Sequence, residues 1–203
     1  MNIEIREIDK KDEKKAMQFA IKGMNLNRYV QDKNALALYA RYFWYMEMDR
    51  ATQCIAAYVD GKFSGIMLVD MRGEEKRYRS FFRWLYVQGF KWLMHKFYSD
   101  GPGEYDKANK EMLHEFKRKN KPDGELIFLA ADPDSPVKGL GSKMLEELEK
   151  REKGKQIYLY TDDGCTWQFY EHRGFRREDE KQVAMELNGQ NVPIQCLLYS
   201  KRL

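Results

Sequence analysis

A mixed α/β sandwich is predicted for this chain by three features. Period-two apolar runs read as strands, helical-period runs lie between them, and an Asp60-Gly61 pair joins two of the strands. Residues 3–6 alternate apolar and charged, as a half-buried strand does. Residues 9–24 follow as a helix, with Asp9 or Asp12 available to cap it and Ala16, Phe19, Ala20 and Gly23 on one face. A second helix is predicted over 34–48, where Leu36, Tyr39, Ala40, Phe43 and Trp44 recur at helical spacing. Strands at 53–59 and 63–71 flank Asp60-Gly61, a strong hairpin signal.

Residues 74–123 break this rhythm. Two helices are predicted there, over 78–97 and 105–119, separated by Ser99-Asp100-Gly101-Pro102-Gly103 and ended by Lys121-Pro122-Asp123-Gly124. A short apolar strand follows at 125–131, and then a helix over 137–153 with Leu140, Met144, Leu145 and Leu148 on one side. Its other side carries the i,i+4 pairs Glu146/Lys150 and Glu147/Arg151, and Gly154 stands at its C-cap. A strand at 156–161, a short helix at 166–173 closed by Gly174, and a hairpin of strands 175–187 and 192–201 around Asn188-Gly189 complete the pattern.

Composition narrows the class. The chain has 203 residues, which favours one domain over 1–203, with 74–123 as a helical insert. Apolar residues at 43% suffice for a core. The 36 basic and 32 acidic residues leave only +4, too mild and too mixed for a nucleic-acid binder. The charged start lacks a signal-peptide core, and three widely spaced cysteines (Cys54, Cys165, Cys196) show no zinc spacing or disulfide framework, so a cytoplasmic setting is expected. The aromatic stretch 81–94 is short and contains Arg83 and Lys91, whereas a spanning helix needs roughly 20 mostly apolar residues. No metal site is expected, since His95, His114 and His172 have no ligand spacing.

The chemistry concentrates in Leu129-Ala-Ala-Asp-Pro-Asp-Ser-Pro-Val-Lys-Gly-Leu-Gly-Ser-Lys-Met-Leu145. A strand ends, the chain turns at Pro133, and a glycine-bearing loop opens a helix. Gly139 and Gly141 allow close approach to the backbone. The N–H groups of the first helical turn form an anion site with the helix dipole, and Lys138 and Lys143 add positive charge. The first glycine of a dinucleotide fingerprint and the Gly-Lys-Ser/Thr of a nucleotide P-loop are both missing. A plain flexible strand-to-helix turn is the other reading of these residues alone.

This stretch resembles the acetyl-CoA signature of the GNAT superfamily of N-acetyltransferases, Gln/Arg-x-x-Gly-x-Gly/Ala after a strand ending in Val-x-Pro. Ala131-Asp132-Pro133 stands for Val-x-Pro, and Gly139-Leu140-Gly141 matches the last three signature positions. A second segment, Asp163-Gly-Cys-Thr-Trp-Gln-Phe-Tyr-Glu-His-Arg-Gly-Phe175, is similar to the family's Asn-x-x-Ala-x-x-x-Tyr-Glu-Lys-x-Gly-Phe. Pro136 departs from the pattern by removing the Gln/Arg side chain and one N–H. Val137 sits where glycine is common, Asp163 replaces Asn, and Thr166 replaces Ala.

The resemblance implies a GNAT-type, mostly antiparallel sheet splayed at the cofactor cleft, with helices on both faces. It further implies transfer of an acetyl group from acetyl-CoA (CoA) to a primary amine by direct attack, without an acyl-cysteine. Backbone groups of Leu129, Ala130 and Ala131 would pair with the pantetheine amides, and a main-chain N–H there would polarise the thioester carbonyl. The diphosphate would rest on N–H groups of Val137, Lys138, Gly139, Leu140, Gly141 and Ser142, near Lys143, with Asp163 at the family's Asn position. Tyr170 falls on the general-acid position, where a phenol protonates the departing thiolate. Glu125 and Asp132 flank the cofactor strand as candidate bases. A non-catalytic acyl-CoA-binding or regulatory module stays open as the alternative.

The acceptor is expected to be a small-molecule or peptide amine, with a homodimer possible and no nucleic-acid or membrane partner expected. The helix at 78–97 carries seven aromatic side chains of Phe, Trp and Tyr beyond Tyr78, together with Arg79, Arg83, Lys91 and Lys96, and no acid. Three uses for it remain: a helix with its aromatics in a core, a lid on the acceptor pocket, or a surface for a membrane or a second copy.

Overall fold

Seven strands form one sheet in the order β1-β2-β3-β4-β5-β7-β6 in the computed structural model, which describes all residues except 25, 29–31, 98–102 and 188–189. The strands are β1 (Ile3–Arg6), β2 (Gln53–Val59), β3 (Lys62–Met71), β4 (Gly124–Ala131), β5 (Gln156–Asp162), β6 (Arg176–Leu187) and β7 (Gln190–Arg202). All neighbours are antiparallel except β4 and β5. The predicted hairpin between β2 and β3 is present. Asp60 and Gly61 adopt φ of +48° and +74°, as a tight turn of this type requires. The predicted turn at Asn188-Gly189 lies outside the described residues.

The helices are α1 (Glu13–Gly23), α2 (Lys33–Arg50), α3 (Phe81–Phe97), α4 (Glu104–Lys119), α5 (Leu140–Arg151) and α6 (Gln168–His172). The segment predicted as one helix from Asp9 begins instead with a single 3-10 turn at Lys10–Asp12 before α1. α2 is capped by Asp32, whose carboxylate accepts from the N–H groups of Asn34 and Ala35.

Alternation along β2 divides the core. Cys54, Ala56 and Tyr58 face α1 and α2 with Phe19, Phe43, Trp44, Ile66, Leu68 and Phe128. Ile55, Ala57 and Val59 face α5 with Met67, Val69, Leu140, Met144, Leu148, Leu159 and Tyr199. Buried on both sides, the central strands read as near-continuous apolar runs. α4 covers the other half of the α1–α2 face, where Ala108, Met112 and Phe116 meet Tyr158, Cys196 and Leu198.

The two insert helices diverge. α4 lies on the sheet, whereas α3 rides on α2 through Phe90 against Tyr42 and Tyr86 against Tyr45. The reading that places the aromatics of this helix in a core holds only for its inward side. Phe81, Phe82, Trp84, Leu85, Trp92 and Leu93 are exposed.

Candidate active site

β4 and β5 pair at two positions only, Gly124 with Ile157 and Glu125 with Tyr158. β4 then continues to Ala131 alongside β3, and β5 continues to Asp162 alongside β7, with no ladder between them. Their facing edges therefore carry backbone N–H and C=O groups that an extended, amide-bearing ligand can bond. A register shift between Leu68 and Val69 leaves Ile127 as an extra residue in β4, a bulge that helps turn the strand away. The divergence opens a cleft of about 490 Å³.

One wall is the loop into α5, held by a chain of short contacts. Asp132 N–H donates to Ser64 O, Asp134 N–H to the Asp132 carboxylate at 3.1 Å, and Val137 N–H to Ser135 Oγ at 3.2 Å. Asp132 forms an ion pair with Lys15 at 2.8 Å. Burial opposes the charge there, but the Lys15 hydrogen bond and the Asp134 N–H outweigh it and hold the Asp132 carboxyl below its ordinary range.

α5 starts at Leu140 rather than at 137, because Gly139 is its N-cap in the left-handed region, with φ +77°. Pro136 consequently sits in the loop, so its missing N–H removes no donor from the first helical turn. The first intrahelical bond runs from Lys143 N–H to Gly139 O, leaving the N–H groups of Leu140, Gly141 and Ser142 at the dipole's positive end. A Cβ on Gly141 would meet the Phe169 ring at 3.3 Å, so glycine lets α5 and α6 close over the cleft. Ser142 is 8% exposed and lines the cleft, and its Oγ has no hydrogen-bond partner among the described residues. A buried hydroxyl left open in this way is costly unless a ligand takes it up.

The opposite wall carries Tyr170, half-buried among Phe169, Phe175 and Tyr199 at ring separations of 5.4, 5.6 and 6.3 Å. Burial, and secondarily the nearby Cys165 thiol, raises the Tyr170 phenol well above its usual value, so it stays protonated at neutral pH. Cys165 itself is pushed up to about 12, first by burial and then by the Asp162 carboxylate, which leaves a neutral thiol and no ready nucleophile. Asp162 is fixed by Gly164 N–H at 2.9 Å and by the Tyr105 hydroxyl at 3.3 Å.

The sequence-predicted residues Leu129, Ala130, Ala131, Val137, Lys138, Gly139, Leu140, Gly141, Ser142 and Tyr170 all line this cleft. Lys143 is exposed and lies outside the lining. Asp163 also lies outside it, exposed, with its carboxylate accepting from Gln195 N–H on β7 at 3.2 Å. Its carboxylate is turned to β7. Glu125 stands where the strands part, bound by Arg50 at 2.5 Å and the Tyr158 hydroxyl at 2.9 Å.

Tyr105, Asp162 and Phe169 also line the cleft and were missed by sequence reasoning. Phe169 and Asp162 lie in or beside the second motif and were within reach. Tyr105 comes from α4, and only the packing of the insert brings it to the end of β5.

A family model described as the acetyltransferase (GNAT) family matches residues 20–175. Compared by sequence alone, the chain matches no curated protein. PaiA N-acetyltransferase from Thermoplasma acidophilum, solved in complex with coenzyme A, is similar over all of both chains at 14% identity and a TM-score of 0.53. Drosophila melanogaster polyamine N-acetyltransferase is likewise covered in full, at 11% identity and a TM-score of 0.59. Arabidopsis thaliana NAA60, bound to a bisubstrate analogue, is similar over 98% of this chain and 97% of its own, at 12% identity and a TM-score of 0.54. At these identities the likeness is one of fold.

Proposed function

Because this chain belongs to the GNAT family of acetyltransferases, we propose that it moves an acetyl group from acetyl-CoA to a primary amine by direct attack, with Tyr170 as the acid. The observation that carries this reading is the divergence of β4 and β5 beyond Glu125 and Tyr158, which sets two unpaired strand edges beside the Gly139 turn and Tyr170.

The residues fit the donor. The open edges of Leu129, Ala130 and Ala131 suit an arm bearing amides. The N–H groups of Leu140, Gly141 and Ser142 suit a diphosphate, the Ser142 hydroxyl has a proton to give it, and Lys138 supplies charge at the rim. Bound there, acetyl-CoA supplies an acyl thioester open to attack by an amine. A main-chain N–H on β4 polarises the carbonyl oxygen as negative charge gathers on it. Tyr170 Oη would hold its proton for the departing sulfur, and the proton shed by the attacking nitrogen would pass to solvent at the cleft mouth. Cys165, neutral at working pH, takes no acyl group. The acceptor in this reading is a small amine or a peptide amine.

Steady-state CoA release with a panel of amines tests the proposal. Tyr170→Phe should lower kcat by about a hundredfold or more while retaining CoA binding, and Cys165→Ala should keep turnover. Saturable CoA binding with no turnover on any amine would point to a binding module instead, and loss of turnover in Cys165→Ala would overturn direct attack.

A further inference from the structure

The outward face of α3 takes no part in the cleft. Phe81, Phe82 and Trp92 are 68, 80 and 64% exposed, and Trp84, Leu85 and Leu93 lie exposed beside them. At 100° per residue, Phe81, Leu85 and Trp92 fall within about 40° of one another, with Trp84 on one flank and Phe82 and Leu93 on the other. Leu38 of α2 extends the surface, since its carbonyl accepts from the Tyr86 hydroxyl and its side chain is exposed. None of these residues lines the cleft, so the lid reading of this helix does not describe its outer face.

The segment that carries this face is basic. Residues 76–97 contain Lys76, Arg77, Arg79, Arg83, Lys91 and Lys96 and no acid. Lys76 and Arg83 are turned inward to Asp70 and Glu13. Arg77, Arg79 and Lys91 are exposed, and Arg41 joins them from α2, its guanidinium 5.9 Å from the Tyr86 ring centroid. Of the nearby acids, Glu13 is engaged by Arg83, Glu7 by the Tyr78 hydroxyl and Asp49 by Ser80 N–H, while Glu75 is exposed beside Arg77 at the edge of the face.

We propose that α3 seats on an anionic lipid surface, with Phe81, Phe82, Trp84, Leu85 and Trp92 in the headgroup–acyl boundary and Arg77, Arg79 and Lys91 on the lipid phosphates. A helix of 17 residues, about 25 Å long, can lie along a plane with Phe81, Leu85 and Trp92 deepest and Trp84 and Phe82 at the flanks. An apolar face ringed by cations matches the polarity gradient of that boundary. A second copy of the chain is a poor occupant, because a two-fold contact would set two all-basic segments against each other. α3 lies on the surface and does not cross it, as no described helix is long and apolar enough to span a membrane.

The test is co-sedimentation of the full chain with phosphatidylcholine vesicles prepared with and without phosphatidylglycerol, with tryptophan emission as a second readout. Binding to the anionic vesicles alone, with a blue shift, is expected. The double variant Arg77→Gln/Lys91→Gln should weaken it about thirtyfold, at about 1 kcal/mol per cation near the surface. Phe82→Ser/Trp84→Ser should abolish it. Both variants change exposed side chains only, and unchanged far-UV circular dichroism and CoA binding would confirm an intact fold. Three results would overturn the proposal: no sedimentation with either vesicle, sedimentation indifferent to both variants, or a concentration-dependent dimer that Trp84→Ser dissociates in the absence of lipid.

Discussion

Replacing Glu47 by glutamine should change how stability depends on pH. Glu47 faces the sheet from α2, is 6% exposed, and accepts from Arg50 Nη1 at 3.2 Å. Burial raises its carboxyl from an ordinary 4.5 to about 7, with Arg50 opposing the rise and Glu125 adding to it. A value raised in the folded state means that the native protein binds more protons than the unfolded chain between about pH 4.5 and 7. Stability from this group is therefore fully present below 4.5, falls as pH rises through the window, and is flat above about 7. Two and a half pH units at about 1.36 kcal/mol each amount to about 3 kcal/mol. The amide carries no titrating proton, yet its carbonyl still accepts from Arg50. Urea unfolding of Glu47→Gln and the parent at about pH 4.5, 6, 7 and 8 should show the variant gaining by up to about 3 kcal/mol across the series. A difference that stays constant within about 0.5 kcal/mol from end to end would refute the reasoning, because Glu47 would then titrate alike in both states.

Two further substitutions follow from the loop into α5. Ser142→Ala removes a buried hydroxyl that lacks a partner, so the free protein should be as stable or up to about 1 kcal/mol more stable, while CoA affinity by calorimetry falls about tenfold. Gly139→Ala meets no neighbour but must hold a φ of +77°, which should cost about 1 kcal/mol in thermal unfolding, and Gly139→Asn should cost less because asparagine tolerates that region.

How much of this was readable beforehand differs by scale. Strand identity was legible because Cys54 to Val59 and Phe63 to Met71 are apolar runs too short for helices and joined by a turn with one geometry. The start of α5 was displaced by three residues because composition does not reveal which residue turns left-handed, and Gly139 does so. The inward and outward aromatics of α3 look alike in sequence. Only the ridge of Tyr39, Tyr42 and Tyr45 on α2 decides that Phe90 is covered and Phe82 is not. Asp163 was placed at the cleft by motif register, but the Gln195 amide, 32 residues later, claims its carboxylate. Contacts of such long range are set by the sheet order and not by local spacing.

That order also fixes when the cleft can exist. β7 is inserted between β5 and β6, and its Tyr199 hydroxyl donates to Glu171 of α6 at 2.8 Å while its ring lies 6.3 Å from Tyr170. Without residues 190–202, β5 would be joined to the sheet by two pairs only, and α6 would lose its Tyr199 contact and keep the one from Arg177. Closure of the cleft around Tyr170 therefore depends on β7 being in place.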